Sequence, residues 1–189
     1  MMEAKKTYCD FANALDAGDA NPNKQYHDTE YGFPIADDNE LFARLILEIN
    51  QAGLSWTIIL KKKADFYRAY HDFDIATVAA YQQEDIDRLL GDSGIIRNKL
   101  KVNAAIYNAQ QLLKIQGECG SFKNWLEAQH PKNKQEWVSL FKKHFKFTGG
   151  EIVNEFLMSI GYLPGAHQES CPIYNQLLFT KPMWMQQGE

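Results

Sequence analysis

The chain has 189 residues, 45% of them hydrophobic and 13% aromatic, with a formal net charge of −4. That composition supplies one substantial core, excludes a disordered chain and points to a single domain spanning residues 1–189. The acidic balance excludes nucleic-acid binding through a global positive field and leaves only a local basic patch for that purpose.

No run approaches the ~20 apolar residues that cross a bilayer, and the start "MMEAKKTYCDFANAL" lacks an apolar signal core. The expectation is a soluble, cytoplasmic protein with no membrane contact. Cys9, Cys119 and Cys171 are an odd number of cysteines, which argues for metal ligation or burial rather than a disulfide framework.

Almost every segment repeats its apolar residues at a period of 3.6, so the predicted fold class is all-α. A lead rich in Gly, Asn and Asp, residues 13–23, precedes a helix that opens at Asp37 or Asp38 and stops at Gly53. The next helix is predicted from Ser55 to about His71, followed by short pieces at Ile75–Tyr81 and Glu84–Leu90. "GDSG" then breaks the chain, and a long amphipathic helix is expected from Arg97 to Ile115. Further helices are expected through "FKNWLEAQ" and "KQEWVSLFKKHF". "TGGEIVNEFLMSIG" reads as a capping box, Thr148 with Glu151, opening a helix that Gly161 ends. After Cys171, periodicity is weak and a surface course is expected.

Three constellations carry chemistry. In "EDIDRLLGDSGIIRNKLKVNAAIYNA" a glycine-containing turn joins two helices, a hairpin near residues 91–97. Such a turn can present backbone N–H groups and the positive end of its second helix to a phosphate, with Arg97, Lys99 and Lys101 close by. The plain alternative is an αα-hairpin with a solvated basic face. In "GAHQESCPIY", His167 and Cys171 are four apart, one helical turn, and with Cys9 and His27 they could complete a closed tetrahedral zinc site that holds the chain's two ends together. The alternative there is a buried Cys171 and an unrelated His167.

The third is "LFARLILEINQAGLSW". Leu41, Phe42, Leu45, Ile46 and Ile49 form one buried stripe, with Glu48 at its edge about one turn before Gly53. Trp56 across the turn and Tyr26, Tyr31 and Phe33 from "QYHDTEYGF" can wall a cavity. One acceptor-only carboxylate among aromatic walls suits a planar, cationic or electron-poor guest with N–H donors, such as a nucleobase. The alternative is a set of core aromatics beside a solvated glutamate.

Taken together, "YHDTEYG", "LEINQAGLSW", "GIIRNKLKVNAAIYNA", "KKHFKFTGGEIVNEFLMSIG" and "HQESC" resemble, in order and over most of the chain, the 3-methyladenine DNA glycosylase I family of helix-hairpin-helix repair enzymes. The resemblance implies a helical core over residues 30–165, with residues 1–29 and 166–189 brought together by one structural zinc on Cys9, His27, His167 and Cys171. It assigns Glu48 to the extruded base, and Tyr26 and Trp56 to the base pocket. The family's two further pocket tryptophans are replaced here by Phe11 and Tyr31, which leaves the identity of the preferred alkylated purine open.

The implied activity is that of a monofunctional glycosylase acting on double-stranded alkylated DNA, as a monomer. It flips 3-methyladenine out, hydrolyses the N-glycosidic bond and leaves an abasic site. Leu54 is the expected wedge in the base stack; Gly94, Arg97 and Lys99 are the expected phosphate contacts, with Lys61 to Lys63 as a second set. Rival readings are a zinc-containing lesion binder without excision and a glycosylase for another alkylated purine.

Overall fold

The computed structural model describes residues 7–15 and 21–186 and is all-helical, with no strand among them. Two short helices that the sequence reading did not single out flank the lead of residues 13–23: α1 (Tyr8–Asn13), opened by a capping box of Thr7 and Asp10, and α2 (Pro22–Thr29), capped by Asn21 with Pro at its first position. Helix α3 (Asp38–Gln51) begins where expected, with Asp37 accepting from the Glu40 N–H. It stops before Gly53, whose φ of +82° is the left-handed conformation glycine adopts without a Cβ clash.

Every residue from Leu41 to Asn50 is buried, so α3 is the axis of the fold rather than a helix with one wet face. Burying each Leu, Ile or Phe of this helix contributes about 1.5–3 kcal/mol, which makes α3 the largest single source of hydrophobic stabilisation. Polar groups are satisfied where they enter: Asp38 accepts the Phe122 and Lys123 N–H groups at 2.7 and 3.1 Å and thereby caps another helix across the core.

The single helix expected from Ser55 to His71 is two, α4 (Trp56–Lys61) and α5 (Lys63–Ala69), broken at Lys62. A left-handed turn at His71–Phe73 follows, then α6 (Ile75–Ala79) and α7 (Gln83–Gly91). Helix α8 (Lys99–Cys119) starts two residues later than predicted, because the Asn98 side chain caps it by accepting from the N–H groups of Leu100 and Lys101. Arg97 therefore stands in the turn.

Helices α9 (Phe122–Gln129), α10 (Lys134–His144) and α11 (Gly150–Ser159) complete the body, with α11 on α3, α10 on α11 and α6 on α8. The Thr148 capping box does not form. Gly149 is the cap, and the buried Thr148 hydroxyl donates instead to the Phe145 carbonyl. Beyond Cys171 the chain does not merely run over the surface: α12 (Tyr174–Phe179) buries Leu177. Among the described residues no helix is long and apolar enough to cross a membrane.

Candidate active site and metal-ligand cluster

Where α3 ends against α11 and α2, a cavity of about 300 Å³ opens, lined by Tyr8, Tyr26, Tyr31, Trp56, Gln51 and three carboxylates, Glu48, Glu151 and Glu155. Glu48 is 4% exposed, and among the described residues no group donates a hydrogen bond to it. Burial pushes its carboxyl up to about 8; the Arg44 guanidinium opposes this, and Glu155 adds to it. Arg44 is itself buried, donating to the Tyr26 hydroxyl at 3.1 Å and to Glu30 at 3.1 Å.

The rings form a continuous wall. Tyr26 lies 5.0 Å from Trp56 and 5.6 Å from Tyr31, and Tyr8 meets Tyr31 edge-on at 5.4 Å. Burial raises the three phenols, so they stay protonated. The Trp56 indole N–H is buried without an acceptor. A Glu48 side chain with no protein donor, at the wall of an aromatic cavity, is complementary to a guest that offers N–H groups.

Beside this wall, Cys9, His27, His167 and Cys171 are all buried, and their ligand atoms lie within 4.8 Å of one another. His27 Nε2 sits 3.3 Å from the Cys9 sulfur and 3.6 Å from that of Cys171; His167 Nδ1 sits 3.7 and 3.5 Å from the same two sulfurs. The other ring nitrogens are engaged, His27 Nδ1 with Asp28 at 2.7 Å and His167 Nε2 with the Tyr31 carbonyl at 2.7 Å. Such outer bonds aim one lone pair of each imidazole at the sulfurs, the arrangement that zinc-bound histidines use. Burial pushes the Cys9 thiol up to about 11, so an ionised sulfur there requires a cation beside it. The expected helical turn between His167 and Cys171 is absent; a tight turn, Cys171 N–H to Gln168 carbonyl, brings them to one side.

Residues 17–144 match the family model described as methyladenine glycosylase. The chain belongs to the methyladenine glycosylase family. It is 34% identical over 168 residues to DNA-3-methyladenine glycosylase 1 of Escherichia coli (strain K12), covering 79% of this chain and 89% of that protein. It is also similar to the crystallised 3-methyladenine DNA glycosylase I from Staphylococcus aureus, with a TM-score of 0.73, 34% identity and coverage of 83% of this chain and 93% of that one. A point variant of 3-methyladenine DNA glycosylase I in complex with 3-methyladenine aligns with a TM-score of 0.75 and 32% identity, over 89% of this chain and 97% of that one.

Within this family member the structure gathers Glu48, Tyr26, Tyr31 and Trp56 at one cavity, as the sequence predicts. Phe11 is a correction. It is 45% exposed and does not line the cavity; Tyr8, one helical turn earlier on α1, takes the wall. Glu48 is not the single acid either, since α11 delivers Glu151 and Glu155 to the same space.

The basic set also divides. Arg97 and Lys99 are exposed at the hairpin. Lys101 is buried, and its ammonium donates to the carbonyls of Asn50 and Ala52 at 2.8 and 2.9 Å, holding the end of α3. The Gly94 N–H, expected to face a phosphate, is taken by the Asp92 side chain at 2.7 Å. A Cβ at Gly94 would crowd the Asp92 and Arg68 side-chain ends and the Asp65 Cβ at 2.9–3.0 Å. Of the three lysines after Leu60, Lys62 holds the Ser93 and Gly94 carbonyls and Lys63 pairs with Glu30, while Lys61 is exposed. Leu54 is half-buried, packed on the main core.

Proposed function

We propose that this chain excises 3-methyladenine from double-stranded alkylated DNA, with Glu48 as the residue that reads and stabilises the flipped base. The observation that carries this reading is the buried Glu48 carboxylate without a donor in an aromatic cavity. A base alkylated at N3 is cationic, planar and rich in N–H donors. It matches a pocket of tyrosine and tryptophan faces whose field is set by three carboxylates.

The glycosidic bond of such a base is already weakened, so the pocket's task is to hold the ring and favour positive charge on base and sugar as the bond lengthens. Glu48 accepts from the exocyclic amino group, and the Tyr26, Tyr31 and Trp56 rings wall the base. No lysine is among the lining residues, which supports water rather than an amine as the nucleophile and an abasic site as the product.

Cys9, His27, His167 and Cys171 would hold one structural zinc. Four protein donors close the coordination sphere, so the metal would tie α1 and α2 to the segment before α12 instead of activating water. Arg97, Lys99 and Lys61 supply the exposed positive charge for the phosphate backbone.

Mass spectrometry of the bases freed from methylated duplex DNA tests this reading. Release of 3-methyladenine is expected, and Glu48→Gln should slow it by about 10²–10³-fold, the loss typical of removing one preorganised charge-stabilising group. Unchanged release by that variant would remove Glu48 from the mechanism.

A further inference from the structure

An adenine alkylated at N3 offers its N–H donors to one acid, yet a second carboxylate enters this cavity from another helix. We propose that Glu155, held in place by the Tyr31 hydroxyl, is a second base-reading residue of the pocket and favours purines whose N–H donors lie on an edge that Glu48 does not meet. This deepens the glycosylase reading of the pocket and rests on it.

Glu48 comes from α3 and Glu155 from α11, and both line the cavity. They stand apart within it. No hydrogen bond joins them among the described residues, and the three carboxylates do not draw their oxygens to one point as the metal-ligand cluster does. The two acids of α11 also have different surroundings. Glu151 is exposed and pairs with Lys134 at 3.1 Å, whereas Glu155 is half-buried with no ion pair among the described residues. Two like charges one turn apart weaken a helix, and the Lys134 pair offsets only one of them.

Tyr31 holds Glu155 instead, its hydroxyl donating to Oε2 at 3.2 Å. The tyrosine is a rigid anchor: its N–H donates to the Tyr26 carbonyl at 2.9 Å, its carbonyl accepts from His167 at 2.7 Å, and its ring meets Tyr8 edge-on. Burial keeps the phenol protonated, so the bond keeps its direction. A long glutamate side chain that would otherwise sample many rotamers is thus fixed on the cavity before a guest arrives. A carboxylate has about four acceptor positions, and Tyr31 and Asn154 engage only part of them.

Donor position distinguishes the purines. Adenine carries its N–H donors on the amino group at C6, whereas guanine carries them at N1 and on the amino group at C2. A ring shut in a cavity of about 300 Å³ must pair those groups or bury them unsatisfied. Glu48 answers the first arrangement, and a second, separate acceptor answers the other. A site that hydrogen-bonds a donor discriminates between analogues far more strongly than one that only fills space. Glu155 therefore sets how well guanine alkylated at N3 competes with adenine alkylated at N3, and Tyr31 is its positioning residue.

Glu155→Gln and Glu155→Ala test this, with 3-methyladenine and 3-methylguanine counted together by mass spectrometry after release from one methylated duplex DNA. The ratio of 3-methylguanine to 3-methyladenine should fall about 10- to 100-fold in both variants, the loss expected when buried donors are left unmatched. Tyr31→Phe should move the ratio the same way by a smaller factor. Both bases are counted in one reaction, so the ratio does not depend on how much of a variant folds. A wild-type ratio in the two Glu155 variants overturns the proposal, and so does a wild-type protein that frees 3-methyladenine but no 3-methylguanine. If the wild-type protein frees neither base, it is the glycosylase reading that falls, and the role of Glu155 with it.

Discussion

The Tyr31 carbonyl accepts the Nε2–H of His167 at 2.7 Å, and through this bond the metal-ligand cluster and the base pocket share a wall. The same tyrosine sends its hydroxyl to Oε2 of Glu155 at 3.2 Å inside the cavity. Tyr26 and His27 repeat the relationship one turn earlier on α2, adjacent residues of which one faces the pocket and the other the sulfurs. Pocket geometry therefore depends on the cluster.

Metal loss should be read in both places. The purified protein is expected to hold about one zinc per chain, and Cys171→Ser to lose it together with several kcal/mol of stability and most of its excision activity. Metal analysis, thermal melting and base release on the same preparations check this. A variant that keeps its melting temperature after losing metal contradicts a structural clasp.

Removing only the Tyr31 hydroxyl separates the two halves. Tyr31→Phe retains the ring and the carbonyl that holds His167, so zinc content should not change. Glu155 loses the Tyr31 donor and keeps Asn154, and a fall of about 3- to 10-fold in kcat/KM corresponds to the ~1 kcal/mol that one such hydrogen bond contributes. Comparing base release from 3-methyladenine and other methylated purines shows whether Glu155 also sets which base is chosen.

Glu48 titrates near 8 in the folded chain against an ordinary value of 4.5, so between those values the folded protein keeps a proton that the unfolded chain has released. Stability contributed through this group is present at low pH and falls as pH rises through that window, by up to about 1.4 kcal/mol per pH unit, levelling above about pH 8. Glu48→Gln should remove this slope, gaining on the wild type between pH 5 and pH 8 in urea melts. Parallel curves would mean the carboxylate is solvated. A cationic guest acts in the opposite direction, since it favours the ionised acid, and kcat/KM should climb toward pH 8.

The basic residues near the hairpin should fall into two kinds. Arg97→Ala or Lys99→Ala should weaken DNA binding and reduce the salt slope by roughly one, with no change in melting temperature. Lys101→Met should cost about 1–3 kcal/mol of stability by leaving the Asn50 and Ala52 carbonyls unpaired, with the salt slope intact. Binding measured across a salt series beside thermal melts separates the two kinds.

Much of this site was legible in the residues because it depends on local rules. The stripe of α3, its stop at Gly53 and the place of Glu48 follow from helical period and a glycine's φ, and the four ligand positions were identified by residue type together with the family resemblance. What failed depends on how elements dock. Tyr8 and Phe11 are three apart on α1, close to one face, and only the packing of α1 on α2 chooses which ring meets the pocket. Lys101 reads as a surface charge until α8 is laid across the end of α3. Spacing alone points the Gly94 N–H at a phosphate, because it does not place the Asp92 side chain that occupies that N–H. Glu151 and Glu155 are legible from spacing alone. They are four apart on one helix, which puts both carboxylates on the same side, although Glu151 also fits a capping box with Thr148 that does not form.

The cluster of sulfur and imidazole also spans an unusual stretch of polypeptide, since Cys9 and His167 are 158 positions apart. A bound ion there fastens nearly the whole backbone into a ring. The entropy of keeping such distant points together rises only with the logarithm of their separation, so the denatured ensemble is restricted over its entire contour by one small knot. Stripping the ion would thus loosen more than its immediate neighbours: every helix between the two fastened points would regain conformational freedom on unfolding.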